Sequence, residues 1–189
     1  MKTLIKILAI CVFIIMLNAC KKTEKENEEL SPVENAVIVQ KDWEVINEPE
    51  YTISYPKNWS VDKSGNDGVE LVLNSPSDSD DDSFQQNANF LKESLPDDSI
   101  GLEEYAKAAI DQAKTIFPTV LSKERVKSDN KDFYKVIFSG TQSGIEFIHE
   151  QQNRVKDKMA YILTFTSTQS DYEKDKVIGN KILKSFRLK

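Results

Sequence analysis

From Glu50 to Pro56 apolar and polar side chains alternate, Tyr51, Ile53 and Tyr55 against Thr52 and Ser54. A period of two predicts a strand with one buried face, and Pro56 stops it. Asn66, Asp67 and Gly68 form a turn signal leading into the apolar run 69–73, which is expected to be a second strand paired with the first as a hairpin or near it. Residues 75–83, rich in Ser and Asp, read as a loop, and 87–95 as the next strand. The period then changes. Leu102, Tyr105, Ala106, Ala109, Ile110, Ala113, Ile116 and Phe117 recur every three or four residues and line one side of a helix, with Gly101 as its N-cap and Pro118 as its stop.

Residues 119–126 look extended, 133–138 form a strong strand, 139–144 turn the chain, and 145–149 and 159–165 supply two more strands. The strands at 133–138 and 159–165 are apolar on both faces, so both faces should be covered. Ser170 and Glu173 have capping-box spacing ahead of a helical stripe of Tyr172, Ile178, Ile182 and Phe186. Several strands, a helix, four strands and a helix argue for an α+β fold, an antiparallel β-sheet flanked by helices, rather than for alternating βαβ units.

The N-terminus carries an address. Lys2 and Lys6 precede an unbroken apolar stretch at 7–17, the pattern of a signal peptide. It falls short of the roughly 20 residues needed to span a bilayer. The stretch closes on Leu17, Asn18, Ala19 and Cys20, which resembles the lipobox of bacterial lipoproteins, in which the cysteine receives a diacylglycerol before cleavage. Residues 1–19 are thus expected to be a lipoprotein signal peptide, 20–38 a lipidated cysteine with a disordered charged tether, and 39–189 one globular domain. The tract after Cys20, acidic from Glu24, is similar to the surface-export signal of some Bacteroidota-type lipoproteins. That likeness implies an outer-membrane, surface-exposed location.

Charge narrows the partners. Of 25 basic side chains Lys2 and Lys6 leave with the signal, so 23 face 31 acidic ones in the mature chain, a balance of −8. Nucleic acid is not an expected partner, since phosphate-backbone affinity needs a basic patch. Membrane association is expected to come from the lipid. Cys11 and Cys20 are the two cysteines, so the mature domain has no free thiol, disulfide or thiolate ligand to offer, and no cofactor is expected.

Three segments resemble the PsbP-like superfamily, which includes PsbP and bacterial DcrB-like lipoproteins. They are Tyr51 to Trp59 with its aromatic-Pro-x-x-Trp end, Leu102 to Lys107 opening the first helix, and Lys158 to Phe165 followed by the closing helix and the Ser185-Phe186-Arg187 ending. The resemblance spans roughly 43–188. It implies a PsbP-like α/β/α sandwich and an accessory or binding role, without selecting a ligand.

Candidate chemistry is sparse. His149, the one histidine, lies in phase with Ile145 and Phe147 and reads as a structural residue at a sheet margin. Its functional alternative is a general base in an envelope hydrolase, oriented by a carboxylate. Asp78, Asp80, Asp81 and Asp82 are weak candidates for calcium, but the sixth and twelfth positions counted from Asp78 hold Ser83 and Asn89, not the glycine and glutamate of an EF-hand. Ser60 with Lys63, and Ser128 with Asn130, match fragments of penicillin-recognising motifs in the wrong setting, and the third motif is missing. Glu103 with Glu104, and Glu146 with Glu150, read as solvent-facing charge rather than a glycosidase pair. The expectation is an envelope lipoprotein attached at Cys20, without catalytic or metal residues, whose partner is a membrane through the lipid and another envelope protein.

Overall fold

The computed structural model describes residues 42–65, 68–77, 84–97, 99–128 and 131–189. The signal, Cys20 and the tether therefore lie outside the described residues, as do Asp78, Asp80, Asp81 and Asp82. In chain order the elements are β1 (Trp43–Asn47), β2 (Tyr51–Pro56), β3 (Ser60–Asp62), β4 (Val69–Asn74), β5 (Asn87–Ser94), α1 (Leu102–Ala113), β6 (Thr119–Ser128), β7 (Lys131–Gln142), β8 (Ile145–Lys156), β9 (Met159–Thr168), α2 (Tyr172–Ser185) and β10 (Arg187–Leu188). The fold class is α+β, as the periodicity implies.

Seven strands form one antiparallel sheet in the order β3-β4-β5-β9-β8-β7-β6, and a second sheet has the order β1-β2-β10. The expected hairpin between β2 and β4 does not form. β2 instead pairs with β1, Ile46 opposite Ile53, and with β10, Thr52 opposite Arg187. Alternation shows that a strand has a buried face but not which sheet buries it.

The large sheet is covered on both faces. Against one face Tyr105 and Ala109 of α1 pack on Leu91, Ala160 and Ile162, while Ile110, Ala113 and Phe117 pack on Val136 and Phe138. Against the other, α2 and the small sheet enclose Ile53, Leu71, Leu73, Phe90, Leu163, Phe165, Ile182 and Phe186. Burying such side chains contributes about 1.5–3 kcal/mol each, which makes this second face the main source of stability.

Three local readings change. Gly140 is inside β7, not in a turn, and its glycine serves close packing, since a Cβ there would lie 3.0 Å from the Phe117 ring. The turn is reduced to Ser143 and Gly144, at φ 51° and 82°, the left-handed pair that suits a two-residue hairpin. The capping box at Ser170 does not form: Asp171 is the N-cap of α2, and its carboxylate accepts from Thr168 and Ser170 hydroxyls. The buried side of α2 is also rotated from the expected stripe, using Asp175, Gly179, Ile182 and Leu183 and leaving Ile178 38% exposed.

Candidate functional site: a polar strand at the centre of the sheet

β8 is the element that sequence reasoning under-read. Its second half, Glu150, Gln151, Gln152, Asn153 and Arg154, is polar throughout and lacks an apolar period, yet it pairs with β7 and β9 along its length. Side chains alternate across the sheet, so His149, Gln151 and Asn153 face α1, and Glu150, Gln152 and Arg154 face α2. Glu150, Gln152, Asn153 and Arg154 are all buried, so each must find a partner or carry the cost of having none.

On the α2 face the Glu150 carboxylate is 1% exposed, which contradicts its reading as solvent-facing charge. A strand register one residue out of phase with His149 turns it toward α2, where Lys135 Nζ stands 2.7 Å from Oε1 and Tyr172 donates to Oε2 at 3.1 Å. The ammonium lies off the hydrogen-bonding direction, so Oε1 has a counter-charge without a hydrogen bond. Burial, and then the Glu150 charge, push the Tyr172 hydroxyl well above the ordinary tyrosine range. Ser167 donates to the buried Asp175 at 2.6 Å. Further along, Arg154 donates to Gln152 Oε1 at 2.8 Å, with its guanidinium carbon 4.6 Å from the Phe133 ring centre and 4.9 Å from that of Phe186.

On the α1 face one row crosses the sheet in register: Asn74, Asn87, Thr166, His149 and Phe138. His149 is therefore inside the sheet, not at its margin. Its Nδ1 lies 3.0 Å from Thr166 Oγ1 and its ring 4.0 Å from that of Phe117, which closes α1 over it. Desolvation lowers its pKa from 6.5 to about 4, so it is neutral at pH 7. No carboxylate acts on this imidazole among the described residues, and its polar neighbour is a hydroxyl. Among the described residues, then, the orienting acid that a histidine base requires is not beside it.

The remaining sequence candidates stay apart. Ser60 opens the exposed β3 and not a helix, while Lys63 is paired with Glu48 at 2.6 Å. Glu103 and Glu146 are exposed, and Glu103 lies 3.8 Å from Arg125. Ser128 ends β6, and Asn130 lies outside the described residues. Among the described residues no three of His, Cys, Asp and Glu come together to hold a metal ion, and no helix is long and apolar enough to cross a membrane.

This arrangement can be set against known structures. PsbP from the cyanobacterium Synechocystis sp. PCC 6803 aligns with a TM-score of 0.57 at 12% identity, covering 82% of this chain and 98% of that one. The chain has the PsbP-like fold. LpqN of Mycobacterium tuberculosis, described as involved in cell envelope biogenesis, aligns at 0.55 and 10% identity over 77% of this chain and 90% of its own. A Pseudomonas aeruginosa protein of unknown function aligns at 0.53 and 10% identity over 76% and 94%. No protein-family model and no curated protein matches the sequence. At such identities the PsbP-like likeness speaks for the backbone, and the polar content of β8 has to be read from this chain alone.

Proposed function

We propose that this protein is a lipoprotein of the bacterial cell envelope, acylated on Cys20 and held at the outer membrane with its domain surface-exposed. There the PsbP-like domain serves as a non-catalytic binding or assembly module for another envelope protein. The observation that carries the reading is the sequence Leu17-Asn18-Ala19-Cys20 at the end of a short apolar run behind two lysines. Acyl chains at a new N-terminus supply membrane affinity that an acidic domain cannot supply itself, and two or more chains make it stable.

The non-catalytic half of the reading is supported by the chemistry of His149, whose half-buried ring rests on Phe117 and Thr166. A hydrolase built on it would need a carboxylate beside the imidazole. The envelope assignment agrees with what is described of LpqN.

The test is mass spectrometry of the exported chain together with fractionation of Cys20→Ser. The expected result is a thioether-linked diacylglycerol on Cys20, with an additional acyl group such as palmitate on its amine, and release of the Cys20→Ser chain from membranes. An unacylated exported chain, or a Cys20→Ser chain that still sediments with membranes, overturns the reading. Crosslinking in intact envelopes followed by purification should recover a protein partner, whereas turnover of a substrate that is lost in His149→Ala would replace the module with an enzyme.

A further inference from the structure

Two neighbouring register rows on the α1 face of the large sheet are built of uncharged polar side chains. Asn87, Thr166 and His149 form one, across β5, β9 and β8, and Asn89, Thr164 and Gln151 form the next. These are inner strands, each with a strand on both sides. Under a helix such positions are ordinarily apolar and covered, and asparagine is a residue that strands disfavour. Here Asn89, Thr164, Gln151 and His149 are half-buried, each partly open to solvent. Charged residues make up 30% of the sequence, yet neither row holds one between β4 and β7.

The opening has a geometric cause. The first half of α1 lies on Leu91 and Ile162, one row beyond Asn89 and Thr164, and its end lies on Val136 and Phe138, the β7 partners of Gln151 and His149. The helix thus borders the two rows on two sides instead of crossing them. The third side is aromatic. Phe147 stands one row beyond His149 on the same face, its ring 6.1 Å from the imidazole and 4.8 Å from the ring of Phe84. What remains is a shallow recess about 10 Å wide across the three strands and about 7 Å long between the rows.

Its polar groups are oriented but not used up. Gln151 Nε2 donates to Asn153 Oδ1 at 2.7 Å, and His149 Nδ1 lies 3.0 Å from Thr166 Oγ1. His149 Nε2, and Asn74 Oδ1 at the β4 end of the first row, have no hydrogen-bond partner among the described residues. The face carries more hydrogen-bonding capacity than the fold consumes.

We propose that this recess binds a neutral sugar residue of a glycan. Carboxamides and hydroxyls both donate and accept, which matches the paired donor and acceptor character of sugar hydroxyls; an ion would leave half of that capacity idle. The imidazole keeps to the uncharged pattern, since desolvation leaves it neutral at pH 7. A pyranose also has an apolar face of C–H groups, and the rings of Phe84 and Phe147 offer apolar area at the edge of the recess. The site depends neither on acylation of Cys20 nor on a protein partner, so either of those readings can fail without it.

The experiment is saturation-transfer NMR on the acylated mature protein in a zwitterionic detergent without sugar headgroups. Neutral trisaccharides of glucose, mannose, galactose and N-acetylglucosamine are the probes, and trigalacturonate is the anionic control. At least one neutral probe should bind saturably, and trigalacturonate at least tenfold more weakly. Thr164→Val and Asn89→Leu place apolar side chains that suit a strand, so ligand-free thermal stability should not fall. Each should weaken binding about three- to tenfold, as loss of one hydrogen bond implies. No saturable signal from any neutral probe, equal affinity for trigalacturonate, or unchanged affinity in both variants overturns the proposal. Binding of an uncharged glycine–serine tripeptide in place of the saccharides also overturns it, and makes the face a peptide site.

Discussion

Lys135 Nζ stands 2.7 Å from Glu150 Oε1, joining a side chain at 22% exposure to one at 1% across neighbouring strands. An ion pair so placed is expensive to make and more expensive to break. Desolvation offsets most of the attraction between the two charges, so the pair itself adds little net stability, but removing one member strands the other.

Lys135→Met is therefore expected to destabilise the fold by about 3 kcal/mol, as an uncompensated buried carboxylate costs. Adding Glu150→Met should recover most of that loss, because two apolar side chains leave no charge to solvate. Urea unfolding of the parent, both single variants and the double variant measures the coupling. Additive losses would mean that Glu150 draws its stabilisation from Tyr172 alone.

His149 makes stability depend on pH. Its pKa is about 4 in the folded chain against 6.5 ordinarily, because burial disfavours the imidazolium. Below pH 6.5 the unfolded chain takes up a proton that the folded chain refuses, so stability falls as pH drops from 6.5 toward 4 and is flat with respect to this group above 6.5. The full effect is on the order of 3 kcal/mol. Asp97, Asp132 and Asp171, whose pKa values are lowered from 3.8 by hydrogen bonds to Ser99, Arg125 and Thr168, add their losses at still lower pH. Unfolding free energies at pH 7 and pH 5 should differ in the parent and converge in His149→Asn. A slope that survives the substitution would assign it to another group.

Gly179 brings α2 against β9 more closely than any other residue could. A Cβ there would fall 2.4 Å from Cδ1 and 2.6 Å from Cε1 of Phe165, a ring that is 1% exposed and enclosed by the core. Helix propensity alone would favour Gly179→Ala by about 1 kcal/mol. Overpacking of this kind costs typically 1–3 kcal/mol and should win, giving net destabilisation. Phe165→Leu, which frees the space, should reverse the sign of the Gly179→Ala effect when both are present. Calorimetric unfolding of the four chains decides it.

What the sequence discloses follows from how burial is written in it. Where one face is buried and the other wet, as in β2 and β4, alternation marks the strand; where a helix turns one side to the core, as in α1, the spacing of Leu102 through Phe117 marks it. Glu150 through Arg154 leave no such mark. Their burial is satisfied by ion pairing, amide contacts and aromatic rings contributed by Lys135, Tyr172, Phe133 and Phe186, and those partners are distant in the chain. The α2 stripe was displaced for the same reason: Asp175 is buried because Ser167 reaches it, and Gly179 because Phe165 does.

The β6 edge of the large sheet is guarded by side chains, and their removal should expose it. Among the described residues β6 pairs with β7 alone, and over its ten residues it leaves a row of backbone donors and acceptors without a strand partner. Such an edge invites another strand. Here the register shifts between Val120 and Ser122, so that Leu121, 54% exposed, bulges from the ladder, and Lys123, Glu124, Arg125 and Lys127 line the rest. An incoming copy of β6 would have to bring its own charges against these, and the bulge would break its pairing. Lys123→Val with Lys127→Val removes two like charges while leaving the bidentate pair of Arg125 and Asp132, at 2.9 and 2.8 Å, to hold the β6–β7 hairpin. Stability of the monomeric fold should change by no more than about 0.5 kcal/mol, as for other exposed positions. Self-association should rise with concentration, read by light scattering behind size exclusion. If the double variant elutes as the parent does at every concentration, the bulge at Leu121 alone is the guard.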